Sequence, residues 1–477
     1  MFRGESSVTR RGWLLATATI GVYVLLMAGA TTTITNAITA CQTWPTCGGQ
    51  WIVPLDDPQL TIAWGHRLIA AVVGIVLVAA VIAGVRSSAQ RRVQVTLLAA
   101  LALYPVQIGI GAMTAVTGAA APFSLLHLLA GMGLFVCLLL ALAWTLEPGG
   151  STVEDDTAEM LDRPPSRPTA STDTTPKETI QPSEPTTIRA RLVRRLSAYA
   201  RLMKPRLMWL LCLVAAAAMA LTAGKTLTVR TVVVTMIGGI LAIGASGTFN
   251  HLLERDIDRR MQRTADRPLA TDEVGVRNAA AFGVLLTVAA VGVFLWINVL
   301  AAALGLAAIL YYSVIYTLLL KPNTVQNTVI GGFAGSFPAL IGAAAATETI
   351  GAPALLLAAV IFLWTPAHFY NLALAYKEDY ARGGFPMMPV VRGDATTRKH
   401  ILLYLGATLI ATTLLAAASP LGSPTAVTGV VFGGVFLWTV IRLHHERSTR
   451  AAFRAFHASN AYLGALLLII VIDMLAV

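Results

Sequence analysis

The feature that most constrains this chain is the spacing of its polar interruptions. Thirteen apolar stretches of 17–25 residues, parted by polar breaks, fill most of its 477 residues. They cover 13–35, 62–85, 93–117, 122–146, 207–223, 229–250, 279–297, 299–320, 325–346, 352–375, 400–419, 424–443 and 457–477. At about 1.5 Å rise per residue these helices span roughly 26–38 Å, the range of segments that cross a hydrocarbon core of about 30 Å. Inside lipid the backbone must satisfy its own hydrogen bonds, which an unbroken apolar run does as a helix. The expected fold is an all-α polytopic membrane protein with thirteen transmembrane helices.

A formal net charge of +11 would suggest nucleic acid as the partner of a soluble protein. Here the charge follows topology. With Arg3, Arg10 and Arg11 in the cytoplasm, alternation puts all of the 35 Lys and Arg except Arg67, Lys225 and Arg230 on that same side. This is the positive-inside distribution of a multi-pass protein of the cell membrane, and no nucleic-acid partner is expected. Thr9-Arg10-Arg11-Gly12-Trp13-Leu14-Leu15 resembles a twin-arginine signal, with Ala28-Gly29-Ala30 as a cleavage site. Its apolar run is long for a signal core, so it reads as a retained span.

Between the fourth and fifth spans, residues 147–187 hold seven prolines, nine acidic and three basic residues. The chain therefore divides into a four-helix unit (1–146), a linker expected to be disordered (147–196) and a nine-helix unit (197–477). The end of the linker is basic, with Arg189, Arg191, Arg194 and Arg195, which suits an anionic membrane surface.

The most informative polar loop follows the sixth span. Asn250, Glu254 and Asp258 fall at i, i+4 and i+8, so on a helix they share one face over roughly 12 Å, while Asp256 points elsewhere. Oxygen ligands so placed suit Mg²⁺ held against a diphosphate, with Arg263 and Arg267 on the remaining phosphate oxygens. The alternative is a solvated juxtamembrane helix with intrahelical ion pairs. A second loop on the same side, Tyr376-Lys377-Glu378-Asp379-Tyr380-Ala381-Arg382, would complete a two-site clamp that stabilises charge on a departing diphosphate.

With these motifs, residues 197–477 resemble the UbiA superfamily of intramembrane prenyltransferases. Within it they are most similar to the protoheme IX farnesyltransferase (heme O synthase) branch. The marks are Lys204-Pro205-Arg206, Glu254-Arg-Asp-Ile-Asp258, Arg263-Thr264-x-x-Arg267-Pro268, a segment from Asn327 through Gly331, Gly332, Gly335 and Pro338 to Gly342, Trp364-Thr-Pro366-x-His368-Phe369, and Pro386-Met-x-Pro389. The superfamily's second motif usually has Asp at both ends, where this chain has Tyr376 and Tyr380. A further basic residue is expected after the eighth span, where Lys321-Pro322-Asn323-Thr324 stands.

The resemblance implies Mg²⁺-dependent transfer of farnesyl from farnesyl diphosphate to a vinyl group of heme B, with water added to give heme O. It implies Asn250, Glu254, Asp258, Glu378 and Asp379 as catalytic residues, with Asn250, Glu254, Asp258 and Asp379 as metal ligands. Lys204, Arg263, Arg267, Asn327, Lys377, Arg382 and His368 would bind substrate. A prenyltransferase with a quinone or lipid acceptor, and a heme-handling transporter, are the alternatives; a transporter would place its polar residues nearer the bilayer midplane.

The first unit carries His66 and His127 at similar depth near the outer surface, an arrangement that can ligate one heme iron from both sides. Together with Cys41-Gln-Thr-Trp44-Pro45-Thr-Cys47, Gly65-His66-Arg67 and Gln107-Ile-Gly109-x-Gly111, the pair resembles one half of heme A synthase. Ala63 stands where the catalytic half has Glu, so the resemblance implies heme binding, or docking of a heme A synthase, without oxidation. Cys41 and Cys47 face the oxidising side, where a disulfide is sterically reasonable and two free thiols are the alternative. Cys137 and Cys212 read as packing residues.

Overall fold

A computed structural model describes residues 2–86, 89–147 and 187–476. Thirteen of its helices are long and apolar enough to cross a membrane, and the described residues contain no strand beyond an isolated bridge at Cys47 and Gln50. The helices are α1 (Phe2–Ile34), α2 (Pro58–Arg86), α3 (Arg91–Val116), α4 (Ala121–Leu146), α5 (Ile188–Leu202), α6 (Pro205–Ala223) and α7 (Val229–Leu253). After them come α8 (Val276–Leu295), α9 (Val299–Leu310), α10 (Phe333–Thr347), α11 (Ala352–Ala375), α12 (Gly393–Ala417), α13 (Ser423–Glu446) and α14 (Thr449–Ala476). All but α5 belong to spans.

Several helices outrun the apolar windows. α12 begins at Gly393 and α14 at Thr449, because helical hydrogen bonds continue through polar turns that lie beyond the hydrocarbon. The expected linker falls mostly outside the described residues, with two corrections at its ends. The basic end is a helix, α5, capped by Thr187, whose hydroxyl accepts from the Ala190 amide. Glu147, placed in the linker, is buried and paired with Arg398 at 2.6 Å.

Helices α1 to α4 close a four-membered ring, and α6 to α14 form a larger bundle in which α14 packs back on α6. The two share one apolar core, with α1 and α4 lying against α12 and α13. Tyr23 of α1 donates its hydroxyl to the Gly429 carbonyl at 3.1 Å, and a side chain at Gly433 would meet the Tyr23 ring at 3.1 Å. In lipid, helices associate through such close packing and hydrogen bonds rather than through the hydrophobic effect. The same device joins α6 to α10: a Cβ at Gly342 would lie 2.4 Å from the Ala215 carbonyl oxygen. That close approach forms one wall of the cavity described next.

Candidate active site

The acidic track survives a break in the helix. α7 ends at Leu253 and a short turn, Arg255–Asp258, follows. The Glu254 amide still donates to the Asn250 carbonyl and the Asp258 amide to the Glu254 carbonyl, so the i, i+4 register carries through. Asn250, Glu254 and Asp258 are respectively 2%, 4% and 2% exposed, whereas the Asp256 side chain is in solvent. A buried carboxylate needs a partner. Arg267 Nη1 reaches both Asp258 oxygens at 2.8 and 2.7 Å and lies 3.8 Å from Glu254. Lys321 donates to Glu254, and Lys204 to the Asn250 side-chain oxygen.

These cations come from three places. Lys204 sits in a left-handed turn between α5 and α6, with φ 56°, and a Cβ at Gly247 would meet the Leu202 carbonyl oxygen at 2.8 Å. A glycine on α7 thus lets this turn press onto the site. Burial, then Arg267, push the Lys204 ammonium down to about 7. Burial raises the Glu254 carboxyl, but Lys321 and Lys204 outweigh it and hold that group below its ordinary value.

Lys321 is the residue that sequence periodicity missed. α9 runs into a π-helix over Tyr311–Leu320. In an α-helix, at about 100° per residue, Tyr312 and Lys321 would stand on opposite faces. In the wider π-helix, at roughly 80° per residue, nine residues complete two turns and bring both to one face. Tyr312 then lies 3.5 Å from Lys204 Nζ while Lys321 reaches Glu254. Lys321 thus reaches the site, while the further basic residue expected beside it is absent from Pro322-Asn323-Thr324. Asn327, wholly buried, donates to the Lys321 carbonyl at 3.4 Å and so braces its turn.

In the second loop, Asp379 is held by three donors. Asp379 accepts from the Gln262 amide at 2.7 Å, the Arg263 amide at 3.4 Å and Arg382 at 2.8 Å. Burial opposes its ionisation, yet Arg382 and the two amides hold its carboxyl below the ordinary value. These bonds tie the two loops together. Glu378 is exposed, and Lys377 pairs with Asp394 at 3.0 Å. What this loop offers the site is aromatic. Arg263 lies over the rings of Tyr376 and Tyr380 at 5.1 and 5.5 Å, with no carboxylate partner among the described residues. Phe385 lies under Lys321 at 4.4 Å.

Beneath the charged layer, Lys204 and Tyr312 form the head of a cavity between α6, α7, α9 and α10. Its walls are apolar and include Leu211, Met236, Ala242, Ile243, Pro338 and Ile341. The arrangement can hold a molecule with an anionic head and a long hydrocarbon tail.

His368 is stacked between Trp364 and Phe456, at 4.2 and 4.4 Å, and shares a 2.6 Å hydrogen bond through Nδ1 with Ser459. In the four-helix unit the His66 and His127 rings lie 6.4 Å apart, each with a buried Nδ1 that has no partner among the described residues. Cys41 and Cys47 form a disulfide. Arg67, next to His66, donates to the carbonyls of Cys41, Pro45 and Thr46 and so holds that loop down.

Comparison with known proteins gives two family matches. The UbiA prenyltransferase family matches residues 210–464, and the Cytochrome oxidase assembly protein family matches residues 5–141. The Protoheme IX farnesyltransferase of Haloarcula marismortui is 58% identical over 97% of this chain and 98% of its own length. That of Halobacterium salinarum is 54% identical over 97% and 98%. A solved structure of Digeranylgeranylglyceryl phosphate synthase shares the fold over 59% of this chain and 99% of its own, with a TM-score of 0.50 at 14% identity. With one family covering more than half of the sequence and full-length relatives at this identity, the chain belongs to the UbiA prenyltransferase family.

Proposed function

We propose that this chain is a protoheme IX farnesyltransferase, making heme O from heme B and farnesyl diphosphate. The observation that carries the reading is an apolar cavity whose head, Lys204 and Tyr312, lies beside two further cations, Arg267 and Lys321, and the acidic track. Relatives bearing that name match the chain along nearly its whole length.

In this reading the farnesyl tail occupies the cavity, and Lys204, Lys321, Arg263 and Arg267 bind the diphosphate. The allylic C–O bond breaks with its electron pair leaving on the diphosphate, and the heme vinyl group forms the new C–C bond. Water then adds to the resulting cation and releases a proton. Electrostatic stabilisation of a leaving anion by preplaced cations is usually a large part of such catalysis. The apolar walls keep water from the allylic carbon until that bond has formed. Asn250, Glu254 and Asp258 are buried oxygen donors of the kind Mg²⁺ takes, although no group of three His, Cys, Asp or Glu suited to a metal occurs among the described residues. Bound there, Mg²⁺ would supply further positive charge to the diphosphate. Asp379, Asn327 and Arg382 act as positioning residues, and His368 contacts the porphyrin. The acidic site and the N-terminus are cytoplasmic.

The imidazole pair favours a second role for the first unit, heme binding. A metal–imidazole bond is about 2 Å, so two rings on opposite sides of one iron have centres roughly 6 Å apart, close to the observed 6.4 Å. Heme held there would supply a redox-active iron, but Ala63 leaves the site without the carboxylate that oxidation would use. The purified chain, incubated with heme B, farnesyl diphosphate and Mg²⁺, should yield heme O by mass spectrometry of extracted heme, and EDTA should suppress it. Unchanged heme B from folded protein would overturn the reading.

A further inference from the structure

Helix α5 lies outside both bundles, yet it leads directly into the Lys204 turn. One side is fastened to the protein. Ala198 and Leu202 are buried with Leu269, Val274 and Ala279, and Arg194 and Arg201 pair with Glu273 of the acidic loop. The opposite side presents Ile188, Leu192, Val193 and Leu196, which are 82%, 57%, 59% and 61% exposed. Three of these follow at i, i+4 and i+8, which makes an apolar stripe along a helix. Arg195 borders the stripe, Arg189 falls within it, and Arg191 lies toward the fastened side in the exposed first turn, with no carboxylate partner among the described residues. Large apolar side chains in water are costly. The helix is also tethered by only two residues, Met203 and Lys204, to the first turn of a membrane span.

An apolar stripe edged by arginines, held at the end of a span, has the chemistry of a helix lying in the headgroup layer of an anionic bilayer. We propose that α5 binds the anionic lipid surface of the protein's own membrane, with Ile188, Leu192, Val193 and Leu196 in the acyl boundary and Arg189, Arg191 and Arg195 on lipid phosphates. Lipid binding then holds the Leu202–Met203–Lys204 turn against Gly247, so the surface charge of the membrane sets how firmly Lys204 is placed. This last step rests on Lys204 belonging to the diphosphate site; the lipid contact does not.

The test is amide hydrogen exchange on the full chain in nanodiscs of phosphatidylcholine alone or mixed with phosphatidylglycerol. Amides from Ile188 to Ser197 should exchange at least about tenfold more slowly in the anionic bilayer. The variant R189Q/R191Q/R195Q should lose that difference while the spans stay as protected as before. Equal exchange in the two bilayers, a measurement that needs no variant, would overturn the proposal. So would equal protection by inorganic phosphate in the neutral bilayer, which would mark a site for free anions. Because exchange is read without turnover, a failure here leaves the assay of heme O formation untouched.

Discussion

The acidic track and the His66–His127 pair differ in how their polar atoms are matched. On the acidic track each side chain has a polar partner: Asp258 has Arg267, Glu254 has Lys321, and Asn250 has Lys204 and Thr317. In the four-helix unit His66 and His127 face each other with unsatisfied ring nitrogens. A buried polar group without a partner costs about 1–3 kcal/mol. The first set of groups is thus satisfied within the protein, whereas the second leaves two ring nitrogens open to a ligand.

The largest expected effect lies in the matched site. Asp258→Asn removes the charge that orients Arg267, and transfer should fall by about 10³-fold while heme bound by the four-helix unit is unchanged. Wild-type turnover in the purified variant would take Asp258 out of the mechanism. Gly247→Ala acts at one remove, since the added methyl group meets the Leu202 carbonyl and displaces the Lys204 turn. A shift of about 1 Å costs on the order of 10²-fold, read as reduced kcat/KM for farnesyl diphosphate. Normal kcat/KM would show that the turn absorbs the methyl group elsewhere.

Lys321→Gln should cost about tenfold, roughly one charge-assisted contact, mainly through KM for farnesyl diphosphate. An effect no greater than that of Lys377→Gln, a surface control paired with Asp394, would break the link between the π-helix and the site. His127→Ala should leave farnesyl transfer unchanged and abolish the absorbance of six-coordinate heme in the purified chain. Loss of transfer would mean that the two sites do not work independently.

Much of this architecture was legible before folding was considered. The thirteen spans follow from apolar runs that only a helix satisfies in lipid, and the i, i+4, i+8 track survived even where the helix breaks at Glu254. The ring pair was legible too, because His66 and His127 lie at one depth on spans of the same direction. Local spacing could not assign partners. It gave no sign that Asp379 accepts from amides more than a hundred residues away.

Periods and lengths are local properties of the chain, so the thirteen spans and the acidic face were determined by sequence alone. The tertiary structure decided which cation meets which carboxylate. It did so by a π-helical stretch that turns Lys321 toward Tyr312, and by a glycine that admits the Lys204 turn. Both depend on how backbones approach in three dimensions, a distance that residue spacing does not encode.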